Sequence, residues 1–388
     1  MRVLLVNRFF GGNQVPTGRM LADVAGELGD LGCEVVVLTG DHEYTRHPAE
    51  VQLSSRVQVR RVCTGRSRNR LLNWAVFGIQ AVVLIPLMRW ERCVILTDPP
   101  FMILASRLAK VLGRERRIFW WTMDLYPEAL VADRMISPRG ICNSVLRQFN
   151  EFGLRGLTGV ITLGIRQKER LELYRQWSRK PGFCTVIPPW DNRNISPRDK
   201  KKNELVQHFG WQKRRVVLYA GNLGHGHTYK DLLEAAMILE KQEQNWVFAF
   251  FCQGEGRTNL EKEGKSLPNV LVHDYVAPEL TSALLYAATI HVITMQDGWE
   301  GVVVPSKLYG ILYTRAPVLF IGPDDSDTAR EIKELGLGVV LPNGCGGNKV
   351  IDALETLSLS RLRQTPPEHR QGARATAAFI AKEDTNVR

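Results

Sequence analysis

VLLVN (residues 3–7) and EVVVLTG (34–40) are short apolar runs of strand length. Between them lie Phe9-Phe10-Gly11-Gly12 and an amphipathic stretch from Thr17 to Leu31. Strand, glycine loop, helix, strand is one βαβ unit, and its repetition decides the fold. The same alternation continues with VQVRRV (57–62), CVILT (93–97), RIFWWT (117–122), GVITL (159–163) and CTVIP (184–188). It breaks at Pro188-Pro189, where a polar stretch carries three consecutive lysines (200–202). It restarts with RVVLYAGN (215–222), WVFAFFCQG (246–254), NVLVH (269–273), IHVIT (290–294), PVLFIG (317–322) and GVVLP (338–342). The pattern predicts an α/β protein of two Rossmann-like, doubly wound domains facing each other across a cleft. The expected boundaries are 1–190 for the first domain, 191–214 for an interdomain linker, 215–350 for the second domain and 351–388 for a helical tail.

The chain of 388 residues is 44% hydrophobic and 23% charged, which suits two globular domains and excludes collagen-like or largely disordered classes. Its net charge of +11 is unevenly placed. Residues 1–190 hold 27 Lys and Arg against 16 Asp and Glu, whereas 191–388 hold 24 of each. The excess belongs to the first half, with clusters at 56–70 and 107–117, and implies an anionic partner for that half. The Arg cluster has no interleaved aromatic until Trp74, which argues against nucleic acid. Seven widely spaced cysteines without a C-x-x-C pair point to neither a disulfide framework nor a zinc site, and a reducing cytoplasm is expected. Only four apolar residues follow Met1-Arg2 before Asn7, too few for a signal-peptide core.

LLNWAVFGIQAVVLIPLM (71–88) approaches the length of a membrane span but contains Asn73, Gln80 and Pro86, and follows Arg66, Arg68 and Arg70. A buried helix between two strands is the preferred reading. An interfacial helix on anionic lipid comes second, and a true span last.

Doubly wound sheets bind ligands beyond the carboxyl ends of their strands, so the post-strand loops are where chemistry is expected. Gly11 and Gly12 follow the first strand and precede a helix, a place where backbone N–H groups can approach a diphosphate. G-x-G-x-x-G is absent, which disfavours a simple NAD site. Gly221-Asn222-Leu223-Gly224-His225-Gly226-His227 repeats the arrangement in the second half. Asp297 to Gly310 (DGWEGVVVPSKLYG) follows the strand ending near Thr294. Pro305 is placed to start a helix with Ser306 and Lys307 in its first turn. A lysine there opposes the helix dipole, a cost of about 0.3–1 kcal/mol that a bound phosphate offsets. Glu300 shares that loop. Asp325-Ser326-Asp327 has a D-x-D form, but its position before a helix reads as a cap rather than a metal site. Asp124 and Glu128 exit another first-domain strand beside aromatic rings suited to a sugar, and Thr97-Asp98 closes the neighbouring one.

Taken in order, VLLVNRFFGG, TDPPF, WWTMDLYPE, YAGNLGHGH, CQGEG, HDYV and EGVVVPSKLYGIL resemble the family 4 glycosyltransferases of the GT-B fold, the branch building bacterial surface and capsular polysaccharides. The resemblance spans about residues 1–355 and is most specific from Glu300 to Leu312. It implies a nucleotide-sugar donor, UDP-linked, held by the second domain, and retention of anomeric configuration without a metal or other cofactor. It also implies a lipid-linked or glycan acceptor on the first domain. Gly12 then approaches the diphosphate, Val276 offers backbone groups to the base, and Lys307 is the cation for the phosphates. Asn222 stands where many members have arginine, with His225 and His227 as substitutes, and Gly310 stands where many have a ribose-holding glutamate. Glu300 and Asp124 are the carboxylates assigned to an oxocarbenium-like centre. With the basic first half, this implies peripheral association with the inner face of the cell membrane. The alternatives are a nucleotide-sugar epimerase of the same fold and a catalytically silent binding subunit.

Overall fold

The computed structural model describes residues 1–11, 15–41, 53–64, 70–112, 116–179, 182–191, 193, 195–359 and 371–382. Gly12, Arg66, Arg68 and Arg114 lie outside them. The chain divides into two compact units. The first comprises Met1–Asn192, Gly301–Val304 and Glu368–Arg388; the second comprises Arg193–Glu300 and Pro305–Pro367.

The first unit is built on seven parallel strands: β1 (Arg2–Val6), β2 (Glu34–Gly40), β3 (Val57–Val62), β4 (Arg92–Leu96), β5 (Arg117–Trp121), β6 (Gly159–Thr162) and β7 (Cys184–Val186). They are ordered β3-β2-β1-β4-β5-β6-β7. Its helices are α1 (Pro16–Asp30), α2 (Arg70–Leu87), α3 (Leu104–Leu112), α4 (Glu128–Ala132), α5 (Ile141–Leu154) and α6 (Ile165–Glu172). Side chains of β1 alternate between two cores. Val3 and Leu5 pack with α1, while Leu4 and Val6 pack with Phe77, Ala81 and Ile85 of α2 and Ala105 and Ala109 of α3. Both faces of the inner strands are covered, which is why they read as continuous apolar runs, whereas Gln58, Arg60 and Arg61 of the edge strand β3 are exposed.

The second unit begins with α7 (Glu204–His208) and has six parallel strands: β8 (Arg215–Asn222), β9 (Trp246–Gln253), β10 (Val270–His273), β11 (Ile290–Thr294), β12 (Val318–Ile321) and β13 (Gly338–Leu341). The order is β10-β9-β8-β11-β12-β13. Interspersed are α8 (Lys230–Lys241), α9 (Gly256–Gly264), α10 (Thr281–Ala287), α11 (Lys307–Ile311), α12 (Asp327–Glu334) and α13 (Gly347–Ser358). Two cores again flank the sheet: Val217 and Tyr219 face one, Val216 and Leu218 the other.

Two segments carry more structure than their composition suggests. Within 191–214, expected as a linker, Asn203 caps α7 through N–H groups of Leu205 and Val206 and donates to the Ala283 carbonyl at 2.7 Å. Leu205, Val206 and Trp211 are buried in the second unit's core. The polar lysine run hides this because the core residues are few and follow no strand or long-helix period. In the stretch expected as a helical tail, α14 (Gln371–Ala381) packs with the first unit. Ala373, Ala377 and Ile380 are fully buried there, and the Arg92 guanidinium donates to the Ile380 carbonyl. Deleting residues 371–388 is therefore expected to destabilise the first unit by about 3–5 kcal/mol, as emptying a core site does. Thermal unfolding of the truncated chain checks this.

Among the described residues no helix is long and apolar enough to cross a membrane. The 71–88 stretch forms α2, buried along Phe77, Ala81 and Ile85 and exposed on its other side.

Candidate functional site

In each sheet the strand order reverses once, between β1 and β4 and between β8 and β11. Loops leaving neighbouring strands in opposite directions open a crevice there. The residues singled out from the sequence fall largely on these loops.

In the second unit, β8 runs into Gly221, whose φ of +146° is a value that side-chain-bearing residues rarely adopt. A Cβ on Gly221 would lie 3.4 Å from the Lys307 ammonium nitrogen, so the loop after β8 and the start of α11 come together. Lys307 is the first residue of α11; Ser306 precedes it, and its side chain does not cap the helix. The Lys307 ammonium donates to the Tyr219 hydroxyl at 3.0 Å and sits 4.2 Å from that ring's centroid. The hydroxyl in turn donates to the Asn222 carbonyl at 2.7 Å. Burial lowers the Lys307 pKa from 10.5 to about 7, because a tyrosine hydroxyl is a weak substitute for water around an ammonium. An anion brought to this nitrogen would restore its charge. Gly221→Ala is expected to cost about 1–3 kcal/mol in backbone strain, read as a lower melting temperature.

His227 is held by its Nδ1, 2.5 Å from the Thr294 carbonyl at the end of β11. Burial, and then the charge of Lys307, lower its pKa to about 3. His227 is thus a neutral imidazole at ordinary pH, supplying shape and a ring nitrogen rather than charge. His225 is exposed and pairs with Glu255 in the loop after β9. That loop is locked to Asn222: a Cβ on Gly254, at φ +112°, would strike the Asn222 Oδ1 at 2.5 Å. Leu223 N–H donates to the Gln253 carbonyl, and Gly256 N–H to the Leu223 carbonyl.

After β11 the chain turns back on the same loop. Gln296 N–H donates to the Gly226 carbonyl at 2.9 Å, and Trp299 packs so closely on Gly226 that a Cβ there would be 3.1 Å from the ring. Glu300 is half-buried, and its carboxylate accepts the Gly298 N–H at 2.8 Å. Val276 follows β10 and packs at the edge of the core that holds Trp211. Gly310 is buried within α11, beside Tyr309, whose hydroxyl donates to Glu331 at 2.7 Å. Ser326 accepts the Ala329 N–H at 3.2 Å as the cap of α12, the role expected within Asp325-Ser326-Asp327. Among the described residues no three His, Cys, Asp or Glu side chains gather as a metal site.

In the first unit Gly11 has φ +68°, and its N–H donates to the Gly18 carbonyl at 3.0 Å. Gly18 lets α1 approach, since a Cβ there would lie 2.8 Å from the Gly11 carbonyl. Beside them Arg8 forms a 3.1 Å ion pair with Asp98, joining the loops after β1 and β4. Asp124 is exposed after β5, its N–H donating to Thr97 Oγ1 at 3.2 Å. Glu128 is buried and held by the Tyr174 hydroxyl at 2.7 Å and by Arg147 at 3.0 Å, which makes it a structural carboxylate. Tyr219 and Arg8 were not singled out from the sequence. The lysine–tyrosine pair spans 88 positions, and a tyrosine inside an apolar strand reads simply as core.

No protein-family profile matches the chain. It is 22% identical over 384 residues to the probable glycosyltransferase WbjE of Pseudomonas aeruginosa, covering 94% of this chain and 92% of WbjE. It is 30% identical over 125 residues to the putative colanic acid biosynthesis glycosyl transferase WcaI of Escherichia coli, covering 32% and 28%. Among solved structures, sucrose-phosphate synthase from Thermosynechococcus elongatus superposes with a TM-score of 0.65 at 12% identity, covering 98% of this chain and 94% of that one. Anabaena HepE in complex with UDP-glucose gives 0.63 at 15%, covering 97% and 94%.

Proposed function

We propose that this chain, a homologue of bacterial glycosyltransferases with the GT-B fold, moves a sugar from a UDP-linked donor to a lipid-linked or glycan acceptor with retention of configuration. The carrying observation is the meeting of Gly221 and Lys307 where the second sheet reverses, a glycine backbone and a desolvated ammonium on one spot. Glycosyl transfer needs the leaving diphosphate stabilised as its charge develops, and a preorganised cation supplies that most strongly where water is scarce. In this reading Lys307, with backbone groups at Gly221 and Ser306, holds the diphosphate without a metal. Asn222, His225 and His227 shape the site, Val276 meets the base, and Glu300 stabilises the positive sugar centre. The first unit serves the acceptor, while Gly11 and Gly12 keep the donor-binding role and Asp124 the catalytic role that the resemblance implies. HepE, crystallised with UDP-glucose, supports UDP as the nucleotide. WcaI, named for colanic acid biosynthesis, supports a surface polysaccharide as the product, and the net positive charge of the first half is what favours a place at the inner membrane face.

Incubation with UDP-sugars and a lipid-diphosphate acceptor tests the reading. UDP release that requires acceptor, with the product's anomeric configuration unchanged by NMR, is expected. Inversion overturns the retaining mechanism, a sugar altered without acceptor indicates an epimerase, and no turnover with any donor indicates a binding subunit.

A further inference from the structure

Exposed large apolar side chains are concentrated on one part of the molecule. Of the twenty among the described residues, six lie on α2, two on α3 and four on α5. On α2 the exposed stripe is Leu72, Val76, Ile79, Val83 and Leu87, at spacings of three and four that put it on one helix face. Ile79 is 67% exposed and Leu87 72%. On α5 the stripe is Ile141, Val145, Phe149 and Phe152, again at helical spacing, with Ile141 84% exposed. Between them α3 adds Leu108 and Val111. The inner sides of α2 and α3 cover the β1 and β4 side chains, so these stripes are what the helices turn outward.

The basic side chains here lie on the helices themselves or beside them: Arg107 and Lys110 on α3, Arg147 on α5 and the exposed Arg89 just past α2. Arg107 rests over the Phe152 ring at 5.9 Å, and Arg116 sits over Trp90 while donating to the Pro86 carbonyl at the end of α2. The single carboxylate on the three helices, Glu151, is buried and accepts the N–H groups of Arg175 and Gln176.

We propose that the outward faces of α2, α3 and α5 form one docking surface that seats the first unit on a bilayer containing anionic lipid. A patch this large is unusual on a protein with no partner. Apolar side chains entering the acyl boundary while guanidinium groups meet headgroup phosphates satisfy both of its properties. A second copy does not, because a two-fold contact would set the same arginines against themselves. The proposal rests on the reading of the chain as a transferase with a lipid-linked acceptor, and names the surface that brings it to that acceptor.

The test is sedimentation with vesicles of phosphatidylcholine alone or mixed with phosphatidylglycerol, comparing the full chain with an Ile79→Ser, Val83→Ser, Phe149→Ser variant. All three positions are exposed, so the fold should persist, and an unchanged melting temperature verifies it. The wild type is expected to partition onto the mixed vesicles, and the variant about tenfold less or weaker still. Equal binding of the two, no binding by the wild type, or a wild-type dimer that the substitutions dissolve would each overturn the proposal. UDP release with a water-soluble acceptor analogue, run in parallel, should be equal in both proteins. Its absence from both sinks the transferase reading whatever the vesicles show. Its presence without vesicle binding sinks only the docking surface.

Discussion

Lys307→Ala is expected to slow sugar transfer by about 10²–10³-fold, the usual cost of losing one preorganised charge from a transition-state site. The same change should leave the fold intact. In the free protein the ammonium is a liability, desolvated and met by the Tyr219 hydroxyl. Its folded pKa of about 7 lies below the unfolded value of 10.5, so between those values the unfolded chain binds more protons. Stability therefore rises with pH across that window, and below pH 7 the full penalty applies. Lys307→Met is accordingly expected to melt higher than the wild type at pH 7, the gap closing as pH approaches 10. Binding has the opposite sign. A diphosphate raises the lysine's pKa, so UDP affinity should fall as pH rises from 7 to 9 in the wild type and stay flat in Lys307→Ala. A variant both inactive and less stable at pH 7 would mean that the lysine holds the fold instead.

Glu300→Gln is expected to lower kcat by about 10²-fold with little change in the donor KM. The amide keeps size and an acceptor oxygen, so the Gly298 N–H bond at 2.8 Å survives and the loop geometry with it. On the proposed reaction, what is lost is the negative charge beside a sugar carbon that becomes positive in the transition state. A raised KM at unchanged kcat would instead assign Glu300 to ground-state binding. Steady-state kinetics with the donor varied separates the two.

The strands were legible because both faces of the inner strands are buried, which compresses each into a short apolar run between polar helices, whereas the order in which they pair came only from the structure. The loop positions of Gly221, His227, Glu300 and Lys307 followed from the same pattern. What joins them did not. The Lys307–Tyr219 bond, the Gly254 packing on Asn222 and the Arg8–Asp98 pair all join residues distant in sequence, and no local period encodes them. The α14 helix carries the same lesson, since nothing in a polar C-terminal sequence announces which core it completes. For α2 the composition reads as a buried helix, yet one side faces outward. Hydropathy records that a side chain is apolar, and only packing decides whether protein covers it. The α5 stripe was missed for that reason, its Ile141, Val145, Phe149 and Phe152 being at the spacing of any amphipathic helix.

The central claim is that the second unit holds the donor's diphosphate between the loop after β8 and the start of α11. Amide hydrogen exchange with and without UDP tests it most directly, because protection reports which backbone groups a ligand orders. The account predicts slower exchange over 220–227, 253–257, 297–300 and 306–308, abolished in Lys307→Ala. Protection confined to the first unit, or identical in wild type and variant, would contradict it.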